Sequence, residues 1–248
     1  MGISSSSLVA RLKGFWSSLS PGGHLPDDVW RSRYSLLLAL TWFHAAIIAL
    51  IGPALGYSWE MNPGALVRDG TVLHTIFEGS IVGVFAWLGG LSRFNRTFQA
   101  SAIAIGLMSS SAILVHLSGG YIEFHFHFFV MLSFLALLQD WVPYILAIVY
   151  VALHHGLLGA FSPEEVFNHE AAINAPWTWA GVHAFFVLCS SLGSVIAWRF
   201  NEKTLDKVKR QAAELEEANK LHARLHRHHC SRSALTADRR TLDRQSNG

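Results

Sequence analysis

Residues 123–155 read EFHFHFFVMLSFLALLQDWVPYILAIVYVALHH. After Glu123 the single charged side chain in this stretch is Asp140, which stands before Trp141 at a turn signal. Crossing roughly 30 Å of hydrocarbon takes about 20 residues of apolar helix. The stretch therefore reads as two successive membrane spans, 123–139 and 141–161, of which the first is short. Histidines mark the same end of both: His125 and His127 open one span, and His154 and His155 close the other.

Outward from this hairpin the same reading recurs, giving six spans at about 34–56, 71–92, 97–118, 123–139, 141–161 and 177–199. The composition agrees. The 248 residues are 51% hydrophobic and 15% charged, against about 25% charged in ordinary soluble domains. Of 36 Asp, Glu, Lys and Arg residues, 9 lie in 1–70, 8 in 71–198 and 19 in 199–248. A soluble globule, a disordered chain and a disulfide scaffold are all excluded, the last because only Cys189 and Cys230 are present. A net charge of +2 gives no argument for nucleic acid as a partner. The expected fold is all-α, a six-helix membrane bundle in contact with the lipid bilayer.

Orientation follows from the basic residues in short loops. Arg11, Lys13, Arg31 and Arg33 precede the first span, Arg93 and Arg96 separate the second and third, and Arg199 and Lys203 follow the sixth. The other side carries Glu60, Arg68, Asp69, Glu123, Glu164, Glu165 and Glu170. Both termini are expected to be cytoplasmic. Residues 1–30 read as a cytoplasmic segment without a cleavable signal peptide, because no apolar core follows Arg11 and Lys13.

With this orientation, eight histidines and two glutamates gather at or above the membrane midplane. They are His44, His74, His116, His125, His127, His154, His155 and His183, with Glu78 and Glu123. A carboxylate inside hydrocarbon is costly and normally has a cation or metal partner, and structural histidines would scatter over both leaflets. One shared site is expected. Its preferred ligands are His74, Glu78, His125, His127, one of His154 and His155, and His183. His74 and Glu78 share a face by i, i+4 spacing, whereas His125 points nearly opposite His127 and His154 diverges from His155 by about 100°. Imidazole and carboxylate donors suit copper, iron or zinc, and two histidines on different helices are the alternative that grips haem b.

Beyond Arg199 no breaker interrupts the chain. Leu205, Val208, Ala212, Leu215, Ala218, Leu221 and Leu225 give three/four apolar spacing over 201–229, a signalling helix expected to form a short parallel coiled coil and hence a homodimer. Lys207, Lys209 and Arg210 suit anionic head groups equally. His222, His226, His228 and His229 read as polar surface.

The run Glu123-Phe124-His125-Phe126-His127-Phe128-Phe129-Val130-Met131, then Gln139-Asp140-Trp141, then Ala152-Leu153-His154-His155, resembles the histidine-rich membrane sensor module of bacterial signalling proteins, including diguanylate cyclases and chemotaxis receptors. The resemblance covers about residues 30–200. It implies an input domain in the bacterial cytoplasmic membrane that feeds a cytoplasmic signalling partner through the helix after the last span. Ser231 to Asp243 resembles the opening of a GGDEF cyclase domain, with Ser233 where Asp is usual and Ala237-Asp238 in place of a longer Gly-Leu-x-Asn segment. Residues 230–248 are thus expected to be a disordered remnant, and no cyclase activity is expected of this chain. A membrane metalloenzyme of oxidase or hydroxylase type, and a metal or proton transporter, are the alternative readings. The first usually places its histidines on the cytoplasmic side, and the second needs a polar path in the inner half, where ionisable residues are nearly absent.

Overall fold

The structure, a computed structural model, describes residues 25–246, with side chains described as far as Arg224. The expectations for residues 1–24, and for the side chains from Leu225 onward, lie outside the described residues. Among the described residues the fold is all-helical and contains no strand, only an isolated bridge between Ser58 and Thr71.

The elements follow the apolar runs closely. Helix α1 spans Asp27–Leu55, α2 Val72–Gly90, α3 Arg96–Leu117 and α4 Ile122–Leu135, the last prolonged by a 3-10 turn, Ala136–Leu138. Helix α5 spans Trp141–Phe161, and its course includes a π-helical turn at His154–Leu158. Two short helices follow, α6 at Pro163–Val166 and α7 at Glu170–Asn174, and α8 then runs Pro176–Ser246. Among the described residues α1, α2, α3, α5 and α8 are long and apolar enough to cross a membrane; Ile122–Leu138 is apolar but shorter. The chain is a multi-pass membrane protein.

Local signals in the sequence set the breaks. Asn95 accepts from the Phe98 amide at 2.8 Å and so caps α3, and Asp140 accepts from the Val142 amide at 3.0 Å and caps α5. Between α3 and α4 the chain reverses through Gly119 and Gly120, whose φ values of 69° and 77° are left-handed. At Gly120 a Cβ would lie 2.8 Å from the Phe167 backbone, so glycine is required both by conformation and by the close approach.

The chain divides into two units, residues 1–198 and 199–248. In the first, α1 and α2 run antiparallel: Tyr34 at the start of α1 donates to the Gly89 carbonyl at the end of α2, 2.7 Å away. Small residues bring the two backbones together, since a Cβ on Gly79 would meet the Ala45 carbonyl at 2.7 Å. Helix α3 is the central one, with 61% of its apolar window buried, and α8 the most peripheral, with 17%. Trp198 of α8 is nonetheless buried against Trp141 of α5, ring centroids 4.9 Å apart. At the same end Arg96 pairs with Asp27 at 2.5 Å and lies over the Trp30 ring.

In the second unit the helix continues through 230–246, where the sequence reading expects disorder. The segment from Ser194 to Ser246 holds neither glycine nor proline, and the many Ala, Leu, Glu, Lys and Arg residues favour helix. Val208, Leu215 and Leu221 are exposed along it. Glu216 and Lys220 form an i, i+4 ion pair at 2.5 Å.

Candidate functional site

The loop between α1 and α2 is tied down before it delivers any functional group. Ser58 exchanges backbone hydrogen bonds with Gly70 and Val72, both 3.0 Å. Asn62 caps the 3-10 turn Pro63–Leu66, and Arg68 pairs with Glu60 at 2.7 Å. Thr71 donates to the Ala65 carbonyl at 2.6 Å and accepts from the His74 amide at 3.2 Å, which starts α2. Asp69 is thereby held at the mouth of the bundle, close to the first turn of α2 and the last turn of α3.

The one shared site expected from the sequence does not form. Its ligands fall into three groups, because the rotation of each helix aims neighbouring histidines at different partners.

The first group is His125 of α4, His155 of α5 and His183 of α8, whose ligand atoms lie within 4.8 Å of one another. Each ring uses Nδ1 in the same way, against the carbonyl four residues earlier in its own helix. His125 meets Tyr121 at 3.1 Å, His155 meets Val151 at 3.0 Å and His183 meets Trp179 at 2.9 Å. A neutral imidazole that donates from Nδ1 keeps its lone pair on Nε2. Three lone pairs thus converge, and Nε2 of His125 and of His155 is buried without a hydrogen-bond partner among the described residues. The π turn carries His155 into this group. His154, the other member of the pair, packs its ring on Phe128 with centroids 5.3 Å apart, and its buried Nδ1 has no hydrogen-bond partner among the described residues. Phe167 lies parallel to His125, centroids 6.2 Å apart, and contacts His155 and His183 as well. An apolar cleft of about 590 Å³ adjoins the triad, lined by His125, Phe126, Phe129, Val182, His183 and Phe186 among others.

The second group is His74 and His116 with Asp69. Nε2 of His74 lies 3.4 Å from Nε2 of His116, and Asp69 Oδ1 is 3.3 Å from each. Glu78 Oε1 is 3.6 Å from His74 Nε2 and 3.9 Å from His116 Nε2.

The third group is the pair His44 and His127, Nε2 to Nε2 at 3.0 Å. His44 Nδ1 meets the Leu40 carbonyl at 2.7 Å, and His127 Nδ1 meets Ser111 Oγ at 2.7 Å. One assignment of protons satisfies every atom: His44 donates to Leu40, His127 donates to His44, and Ser111 donates to His127. The pair is complete as a hydrogen-bonded chain and needs no ion. Glu123 is exposed in the first turn of α4 and joins none of the three groups. Its negative charge there suits the helix N-terminus.

Two contributors escape the sequence reading. Asp69 and Glu165 stand among the acidic residues outside the spans, and Glu165 Oε2 accepts from His116 Nδ1 at 2.7 Å. Their only signal in the sequence is proximity to span ends, which several other carboxylates share.

Fold and sites together define an all-helical, multi-pass membrane protein with clustered histidines inside its bundle. The chain is similar to the transducer protein Htr8 of Halobacterium salinarum, with 31% identity over 217 residues, covering 85% of this chain and 34% of that protein. It thus spans about a third of that relative's length. No protein-family profile matches the chain, so the likeness of Ser231–Asp243 to a GGDEF opening gains no support. No solved structure matches it.

Proposed function

We propose that the chain is a membrane-embedded sensory input domain that binds a transition metal at His125, His155 and His183 and signals through α8. The observation that carries this reading is the place of His183: it is a ligand candidate on the same helix, Pro176–Ser246, that leaves the membrane unit. A metal at the triad ties α8 to α4 and α5. A change in its occupancy or oxidation state alters that tie, and coupling follows if two arrangements of α8 differ in metal affinity. The low burial of α8 fits a helix held by few other contacts. Likeness to a transducer protein supports the signalling role.

In this reading Ile122–Leu138 is a sixth, short span, both termini are on the cytoplasmic side of a cytoplasmic membrane, and the histidines lie towards the opposite face. The exposed stripe Val208, Leu215 and Leu221 supports a homodimer through the second unit, from which a cytoplasmic partner receives the signal. Copper, iron or zinc suits three imidazoles. Haem b between two of the three rings does not fit, since their centroids are only 4.8–5.2 Å apart; the cleft beside His125 and His183 is the place where a singly ligated haem would sit.

The test is metal analysis with an optical spectrum of the purified full chain. His183→Phe is expected to remove one equivalent of copper, iron or zinc. Stoichiometric metal that is unaffected by this substitution, or no metal and no haem, sinks the reading.

A further inference from the structure

We infer that Asp69, His74, Glu78 and His116 form a second metal site, separate from the triad, for a borderline divalent cation of the zinc or ferrous class. Proton counting makes the first case. His74 Nδ1 donates to the Leu66 carbonyl at 2.8 Å, and His116 Nδ1 donates to Glu165 at 2.7 Å. With both imidazoles neutral, their Nε2 atoms present lone pairs, and these face Asp69 Oδ1 and Glu78 Oε1, which are also acceptors. Four acceptors then meet, and either a cation or added protons must compensate them. Glu78 lies at the floor, its side chain 9% exposed and its Oε2 buried without a hydrogen-bond partner among the described residues. A buried carboxylate in that state is costly unless a cation pairs with it.

Distances make the second case. Zinc bonds of about 2.0–2.1 Å in tetrahedral geometry put neighbouring ligand atoms about 3.4 Å apart. The three separations among Asp69 Oδ1, His74 Nε2 and His116 Nε2 are 3.3, 3.3 and 3.4 Å. The ligand atoms of Asp69, His74 and His116 all lie within 4.8 Å of one another, and Glu78 Oε1 borders this triangle on its histidine edge, 3.6 and 3.9 Å from the two nitrogens. Two carboxylates and two neutral imidazoles carry a charge of −2, which a divalent ion cancels. Two nitrogens and two oxygens without a thiolate suit zinc, ferrous or manganous ions rather than cuprous. Glu165 and the Leu66 carbonyl hold the outer nitrogens, as partners of metal-bound histidines do. Asp69, with its side chain 70% exposed, leaves an entry from water. The same cation would join the α1–α2 loop, α2, α3 and, through Glu165, the α6 segment at one end of the bundle.

The site stands independently of the triad, and zinc binding to the full chain tests it. In detergent, chelator-stripped protein carrying His155→Phe and His183→Phe is titrated with Zn(II). One equivalent is expected to remain. Added Asp69→Asn or Glu78→Gln is expected to weaken it at least tenfold, and Glu165→Gln by about 10–100-fold with stoichiometry unchanged. Cobalt(II) in place of zinc is expected to give a tetrahedral visible spectrum that Glu78→Gln abolishes. Should Glu78→Gln not fold, Asp69→Asn, in an exposed loop, carries the test. No zinc equivalent in the triad-less background, or unchanged affinity in Asp69→Asn, overturns the inference; protons then compensate the carboxylates. Failure of the triad reading would show separately, as metal content that the two phenylalanine substitutions leave unchanged.

Discussion

Eight histidines sit within the spans, and their protons separate them into different kinds of residue. In the His44, His127 and Ser111 chain each hydrogen has an acceptor, so the group is satisfied by itself. His127→Leu would strand His44 Nε2 in a buried setting, while the Ser111 hydroxyl keeps the Leu107 carbonyl, 3.1 Å away, as its acceptor. The substitution is expected to cost about 1–3 kcal/mol, read as a lower Tm, while metal content stays unchanged. Loss of a metal equivalent instead would show that this pair also ligates. The triad depends on a different single residue. Gly120 holds a left-handed φ against the backbone of Phe167, the ring that covers His125 and His183. Gly120→Ala is expected to cost about 1–3 kcal/mol and to weaken metal binding at the triad, because the added Cβ displaces Phe167. A Tm equal to the parent's would count against this packing.

At the scale of elements, the helices were legible and their rotations were not. The ends of α3 and α5 follow from Asn95 and Asp140, and the reversal after α3 from Gly119-Gly120, all local signals. The choice of His155 over His154 depends on the π turn, an extra residue in one helical turn that no pattern of side chains announces. The antiparallel contact of α1 and α2 makes a further prediction: Tyr34→Phe leaves the Gly89 carbonyl without its side-chain donor and is expected to cost about 1 kcal/mol, measured by thermal unfolding in detergent. Helix α8 carries the dimer question. In a chain with Cys189→Ser and Cys230→Ser, Leu215→Cys is expected to cross-link under mild oxidation if the apolar stripe pairs in parallel. A monomer under those conditions would leave the stripe to membrane or partner contact.

For the whole molecule, orientation is the open quantity with the clearest measurement. A periplasm-active reporter fused at residue 165 is expected to be active, and one fused after Lys203 inactive; the reverse result would invert the bundle and place the histidines at the cytoplasmic face. The sequence by itself determined that the chain is a helical membrane protein and where its apolar helices lie along the chain. Those properties depend on hydropathy, caps and breakers, which act over a few residues and are written in order along the chain. Only the tertiary structure decided that the histidines divide into a triad, a carboxylate site and a closed hydrogen-bonded pair, and that Asp69 and Glu165 join the second. That division depends on how each helix is turned about its axis and where each loop is pinned. Both are settled by close packing between distant segments, such as Gly79 on Ala45 and Gly120 on Phe167, and such packing has no signature in local order.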